Sequence, residues 1–498
     1  MIEKKITVRA GEKAAFRNLT AQCVGTGRLD LALHQEYQDQ LRAVQELCHF
    51  QHIRGHGLLS DQMGIYQEHT DKNGQRIVEY CFTYLDRVMD SYLKNGLTPF
   101  LELGFMPEKL AAGEQTLFYW KAHTTPPKRM EDWQALIKAT LEHLKRRYGE
   151  ERVQAWPCEI WNEPNLPGFW ENADKQKYLA LYKATVQAVK EVLPGMKVGG
   201  PAICGGTGSQ QWIADFLSFC RDEKVPVDFV TRHAYMGQTP EHKGRYLYHA
   251  MNRPEDLIAE MQESRNVIDS FPEYKGLPMH ITEFNTSYHP FCPIHDTVYN
   301  AALCAALLSR LGDVADSYSY WTFGDVFEEQ GIPTRPFHGG FGLMANGLIA
   351  KPTLWVFSWF AGLLGEPKYR DEEAVIVRRG QDGGYEAVLW NLEDAEKRVE
   401  ICLPLTGDAA VIAEWVDEEH GNPLKAWHLL GEPADLNEEQ LSFLRAAGKP
   451  GETVLAPEKE KGGQKVTVTL KKNAVMRLRM VPVEKRPDYG YDYSYYCE

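Results

Sequence analysis

None of the ten cysteines sits at metal-ligand or redox spacing. Cys23, Cys48, Cys81, Cys158, Cys204, Cys220, Cys292, Cys304, Cys402 and Cys497 contain no C-x-x-C pair, so no zinc knot and no disulfide framework is legible. Several read as small core hydrophobes, as Cys304 does in Ala301-Ala302-Leu303-Cys304-Ala305. Long apolar runs are also missing, and Met1-Ile2-Glu3-Lys4-Lys5 has no apolar h-region, so no membrane segment and a reducing cytoplasm are expected. Basic residues are outnumbered, 55 against 69 acidic for a net charge of −14, which argues against nucleic acid or an anionic membrane as partner. Gly199-Gly200-Pro201 and Gly205-Gly206-Thr207-Gly208 lack the P-loop lysine and dinucleotide spacing, and read as loops. Asp417-Glu418-Glu419-His420 has metal-ligand residue types but no second histidine at ligand spacing, so a solvated acidic loop is expected and no metal. No repeat or low-complexity linker divides the chain.

What is present is an alternation. At 498 residues, 43% apolar and 25% charged, the chain suits a soluble barrel plus an accessory domain. Strand candidates fall at 22–26, 52–57, 97–105, 158–165, 196–202, 227–235, 278–286 and 317–325, separated by segments of helical apolar spacing. Trp133, Leu136, Ile137, Leu141, Leu144 and Tyr148 make one such stripe. Tyr178, Leu181, Tyr182, Val186, Val189 and Leu193 make another, stopped by Pro194-Gly195. The last helix is expected over 351–364, with Pro352 in its first turn. Eight strand–helix alternations predict a (β/α)8 barrel over 15–365. An open doubly wound sheet is the structural rival, but it would place a ligand at a single switch point.

After Gly365 the texture becomes all-β. Strands are expected at 374–379 and 385–390 around the turn Asp382-Gly383-Gly384, then at 397–403, 410–416, 465–470 and 474–480. A helical insertion near 437–447 is capped by Asn437. Residues 1–14, with a short strand around Ile6, are expected to join 366–498 in this β-sandwich-like domain. The Tyr-rich tail after Tyr489 has no usable period.

Two stretches organise the chain. Cys158-Glu159-Ile160-Trp161-Asn162-Glu163-Pro164-Asn165 reads as a buried strand ending in a polar tip, with Glu163 at its exit. His280-Ile281-Thr282-Glu283-Phe284-Asn285-Thr286 answers it with Glu283. Other strand exits carry His56, His233, Tyr235 and Trp321, with Glu328-Glu329 just beyond. Any one of these is ordinarily structural. Their gathering at the carboxyl ends of several barrel strands points to a site. Paired carboxylates are what glycoside hydrolysis needs: one acid protonates the leaving oxygen, and one carboxylate attacks or activates water. Tyr235 suits a hydrogen bond to an ionised carboxylate, Asn162 suits a ring hydroxyl, and Trp321 offers a platform for a sugar face. Such catalysis needs neither metal nor cofactor. A non-catalytic sugar-binding protein is the rival of another class, but it would not need both Glu163 and Glu283.

The stretches Trp161-Asn162-Glu163-Pro164-Asn165, Arg232-His233-Ala234-Tyr235 and Thr282-Glu283-Phe284-Asn285 resemble clan A glycoside hydrolases. There the acid/base ends the fourth strand and the nucleophile the seventh, the strands to which the count above assigns Glu163 and Glu283. Arg54-Gly55-His56-Gly57-Leu58-Leu59, Gly104-Phe105-Met106-Pro107, Ser319-Tyr320-Trp321-Thr322-Phe323, Phe337-His338-Gly339-Gly340-Phe341-Gly342 and Asp417-Glu418-Glu419-His420-Gly421-Asn422-Pro423 are similar to the bacterial β-xylosidases of glycoside hydrolase family 39. The resemblance implies a retaining exo-hydrolase that releases xylose from the non-reducing ends of short β-1,4-xylo-oligosaccharides. It implies Glu163 as acid/base, Glu283 as nucleophile, and His56, Asn162, His233, Tyr235, Trp321 and Glu329 on the first sugar, with Phe118 as a further wall. It also implies a homotetramer. α-L-Iduronidase or α-L-arabinofuranosidase activity is the alternative within the fold. An iduronidase needs a cation for the substrate carboxylate, and only Arg54 and Arg232 stand at these strand exits, expected to point away or to pair inside the barrel.

Overall fold

A computed structural model describes residues 1–484, 489–492 and 494–496. Cys497 and Tyr493 lie outside the described residues. Eight parallel strands close into a barrel: β1 Cys23–Arg28, β2 His52–His56, β3 Thr98–Leu103, β4 Cys158–Ile160, β5 Val198–Ile203, β6 Phe229–Tyr235, β7 Met279–Asn285 and β8 Ser317–Tyr320. Strand β8 pairs back onto β1 through Tyr320 and Val24, which closes the ring. Eight helices pack outside: α1 Gln35–Cys48, α2 Thr83–Lys94, α3 Met130–Tyr148, α4 Lys175–Val192, α5 Ser209–Asp222, α6 Pro254–Asp269, α7 Val298–Leu308 and α8 Pro352–Gly362. The chain is a (β/α)8 barrel.

The helices form for the reasons their spacing gave. In α3 the stripe Trp133, Leu136, Ile137, Leu141 and Leu144 is fully buried against the strands. Each such side chain contributes about 1.5–3 kcal/mol on burial. Helix α4 starts where Asp174 accepts from Lys177 N at 3.1 Å, and buries Tyr178, Leu181, Tyr182, Val186 and Val189.

Two strands end earlier than their patterns suggest. Strand β4 stops at Ile160, and Trp161 and Glu163 both take positive φ, 71° and 45°. The expected run to residue 165 therefore becomes a turn, and it is this turn, not strand alternation, that carries Glu163 over the barrel mouth. Strand β8 ends at Tyr320. Conversely, Gly199-Gly200-Pro201 lies inside β5, not in a loop. A Cβ on Gly199 would stand 2.2 Å from the Phe229 ring, so this glycine answers to close strand packing. Cys23, Phe100 and Phe229, from the amino-terminal halves of β1, β3 and β6, pack together as an apolar cluster at that end of the barrel.

The β region is two sheets around one apolar layer. One sheet orders Ile2–Thr7, Lys397–Leu403, Gly463–Leu470 and Glu458–Glu460; the other orders Glu366–Arg370, Ala374–Arg378, Tyr385–Trp390, Val475–Pro482, Ala409–Val416 and Gly451–Leu455. Ile6, Val399, Ile401 and Val468 from the first meet Ile376, Leu389, Val411 and Leu478 from the second. The amino-terminal strand runs parallel to Lys397–Leu403, with Ile6 opposite Ile401. Helix Glu438–Ala447 begins in a reciprocal cap between Asn437 and Gln440. Periodicity missed two antiparallel hairpins, Tyr66–Thr70 with Arg76–Tyr80 and Gly237–Lys243 with Tyr246–Met251.

Candidate active site

At the open end of the barrel lies a cavity of about 590 Å³, lined among others by His56, Asn162, Glu163, Tyr235, Glu283, Trp321 and Glu329. Glu163 and Glu283 face each other across it. One carboxylate oxygen of each, and a ring nitrogen of His233, all lie within 4.8 Å of one another. That spacing is shorter than the roughly 6.5–9.5 Å of an inverting pair of carboxyls.

Glu283 is held on both oxygens. Arg54 Nη1 donates to Oε1 at 2.6 Å and Tyr235 Oη donates to Oε2 at 2.6 Å. Burial raises its pKa, while Arg54, His56 and the Tyr235 hydrogen bond oppose that rise. Glu163 has weaker support, from the charge of Arg54 without a hydrogen bond to it. Burial first, and then the charge of Glu283, push its carboxyl well above the usual range. Two carboxyls with environments that differ in this way can divide the holding and the giving up of a proton between them. His233 shares a hydrogen bond with Glu163 Oε1 at 2.7 Å and sits 3.4 Å from Glu283 Oε2. Burial holds this imidazole neutral, far below its ordinary pKa.

The walls follow from the strands. His56 ends β2, its Nδ1 2.7 Å from Glu102 Oε2 and its ring 4.6 Å from that of Trp321. Burial lowers its pKa to about 3, so it meets a ligand neutral. Asn162 Oδ1 accepts from Arg54 Nη2 at 2.8 Å, which leaves its NH2 for a sugar hydroxyl. Trp321 packs with Phe327 and Phe341 behind the cavity. Glu329 stands 4.0 Å from His56 Nε2, its carboxyl raised by burial and then by Glu283 and Glu163. Its neighbour Glu328 turns away to pair with Arg28.

Two of the predicted residues stand behind this lining. His233 is fully buried beneath the two carboxyls. Phe118 is half-buried, its ring stacked 6.3 Å from that of His56. The two arginines part company. Arg54 pairs inside the barrel and Arg232 points outward to Glu260 and Ser264 on α6.

Sequence reasoning expected Arg54 to point away or to pair inside the barrel, and missed the acids it pairs with. Arg54, Glu102 and Glu159 are fully buried, with Arg54 Nη2 2.8 Å from Glu102 and 2.6 Å from Glu159. Thr282 Oγ1 also donates to Glu159 at 2.9 Å. The signal was a charge in mid-strand: Glu102 between Leu101 and Leu103, and Arg54 two residues before His56 on the same face. Among the described residues, Glu163, His233 and Glu283 are the one group close enough to share a metal ion. Arg54 already places a positive charge on Glu283 Oε1 beside this group. Asp417 is a loop brace, its Oδ1 accepting from the backbone of Glu419 and His420 at 2.8 Å each.

The family model for glycosyl hydrolases family 39 matches residues 4–465. The chain belongs to glycoside hydrolase family 39. It is 47% identical over 454 residues to a β-xylosidase of Geobacillus stearothermophilus, covering 89% of each chain. It is 33% identical over 464 residues to a β-xylosidase of Caldicellulosiruptor saccharolyticus, covering 89% of this chain and 91% of the relative. Among solved structures it is similar to a monomeric β-xylosidase from Caulobacter crescentus CB15, with a TM-score of 0.87, 29% identity, and 97% and 100% of the two chains covered. As a family 39 member the protein is a glycoside hydrolase.

Proposed function

We propose that this enzyme is a retaining exo-β-1,4-xylosidase acting on short xylo-oligosaccharides by double displacement. The observation that carries the reading is the pair of carboxylates within 4.8 Å at the mouth of the barrel. Glu283 attacks the anomeric carbon while Glu163 protonates the leaving oxygen; Glu163 then takes a proton from water as the glycosyl-enzyme is hydrolysed. Neutral His56, the Asn162 NH2 and Glu329 hold hydroxyls of the first sugar, and Trp321 supports its ring. Tyr235 and His233 act through the two glutamates, and Phe118 backs His56.

The β-xylosidases among the similar proteins support xylose as the sugar. An iduronide carboxylate would need a cation, and among the described residues lining the cavity only the neutral His56 is a basic type. Among the described residues, nine free cysteines suit a reducing cytoplasm. A homotetramer is the assembly proposed from family resemblance, and the monomeric Caulobacter relative makes solution mass the test.

Aryl β-xyloside, α-L-arabinofuranoside and α-L-iduronide compared side by side test the specificity. The β-xyloside should be cleaved fastest and proton NMR should show β-xylose as the first product. Initial α-xylose would overturn the retaining mechanism, and dominant cleavage of internal xylan bonds would overturn the exo reading.

A further inference from the structure

The cavity extends past the two catalytic carboxyls, and its far side is built from different elements. Leu166 and Phe169 follow β4, Cys204 to Gly206 follow β5, Glu260 lies on α6 and Tyr288 follows β7. This is the side of Glu163. Cys204 N donates to Asn165 Oδ1 at 3.1 Å, and Asn165 Nδ2 donates to Cys204 O at 3.2 Å, so the Glu163 turn and the glycine turn form one unit. The leaving group of a glycoside sits beside the group that protonates it.

Glu260 brings a charge to this lobe. Arg232, fully buried on β6, donates from Nη2 to Glu260 Oε1 and from Nη1 to Ser264 Oγ. Ser264 in turn donates to Gln210 at 2.9 Å. The Glu260 side chain remains 31% exposed. A Cβ on residue 205 would stand 2.9 Å from Glu260 Oε1 and 3.3 Å from Arg232 Nη2, so the bare Gly205 leaves Glu260 on the cavity lining while Arg232 stays buried behind it. Arg232 takes Oε1, and among the described residues no hydrogen bond or ion pair falls on Oε2, so the partly exposed carboxylate keeps an oxygen that can accept a hydroxyl.

We propose that Glu260, positioned by Arg232, is a specificity-determining residue that accepts a hydroxyl of the second sugar of a xylo-oligosaccharide. Phe169 and Tyr288 wall the same lobe with apolar surface that tolerates flat leaving groups. The proposal rests on the xylosidase reading and adds to it the basis for preferring a sugar over an aryl leaving group.

The experiment measures kcat/KM for xylobiose and for 4-nitrophenyl β-xyloside in the wild-type enzyme, Glu260→Ala and Glu260→Gln. A hydrogen bond to a charged acceptor predicts that Glu260→Ala lowers the xylobiose value about tenfold or more beyond any fall with the aryl xyloside. Equal falls on both substrates, or a shift toward xylobiose, would overturn the proposal and leave the pair as a structural brace. If Glu260→Ala does not fold, Glu260→Gln still offers Arg232 an acceptor. A shift of a few-fold in the same direction then supports the proposal, and an unmoved ratio overturns it. A wild-type enzyme that cleaves neither substrate defeats the xylosidase reading itself, and the inference with it.

Discussion

At the barrel centre Arg54 meets Glu102, Glu159 and Glu283, with Glu163 and Glu329 close above. Behind β8, Lys351 meets two carboxylates, Asp296 at 2.7 Å and Asp325 at 2.6 Å. Both cations are fully buried. Around Lys351 the remaining demands are met: Gly339 N donates to Asp296 at 2.7 Å, Gly342 N donates to Asp325 at 2.6 Å, and Lys351 also reaches Gly340 O at 2.8 Å. Around Arg54 one positive charge faces an excess of carboxyls, and burial raises the pKa of Glu102, Glu159, Glu163, Glu283 and Glu329 alike. A buried cluster whose carboxylates are met by a lysine and by backbone N–H groups fixes a loop. An unbalanced one must hold protons, and a group that holds a proton near neutrality can donate it.

The sharpest way to break this comparison is to remove the attacking group. Glu283→Ala should lower turnover of every substrate by about 10⁴-fold or more, because the proposed double displacement loses its nucleophile. Steady-state rates on aryl and alkyl xylosides check this, and retained activity on either would reassign the nucleophile.

Glu163→Ala should be selective instead. Dinitrophenyl xyloside, whose phenol leaves without protonation, should still give a burst followed by a slow steady rate, while xylobiose should not be cleaved. Azide should speed the second step and yield β-xylosyl azide, whereas azide with Glu283→Ala should give the α anomer. Opposite anomers would reverse the two roles.

The two cations separate next. Arg54→Met and Lys351→Met each strand buried carboxylates, and each should cost about 3–5 kcal/mol of stability. Only Arg54→Met should also lower kcat per folded molecule, by about 100-fold, since Glu283 loses a charged hydrogen bond. Active-site titration of the folded fraction after chemical denaturation distinguishes the two.

The smallest effect is on pH dependence. Burial raises Glu102 from its ordinary 4.5 to about 8, with Arg54 opposing. The folded state then binds more protons than the unfolded chain between those values, so stability falls as pH rises through that window. Glu102→Gln should flatten that fall, read as Tm against pH from 4.5 to 8. An unchanged slope would place the proton elsewhere in the cluster.

Much of this was legible in the linear order of residues. The barrel followed from eight alternations of period, because each strand and each amphipathic helix is a local pattern. The facing of Glu163 and Glu283 followed from the strand count combined with barrel closure, and the Asn437 cap from capping chemistry. The two outer hairpins escaped because their strands are mostly exposed, and they carry little apolar alternation.

The sequence by itself thus determined the fold class, the two carboxylates and the ends of the strands that carry them. Tertiary structure decided the rest. It turned the chain at Trp161 and Glu163 with positive φ, sent Arg54 inward and Arg232 outward, and set His233 and Phe118 behind the lining. Above all it surrounded one arginine with several acids from different strands. Proton affinity depends on burial and on neighbours brought together by closure, and residues such as Glu102 and Glu283, 181 positions apart, meet only in three dimensions.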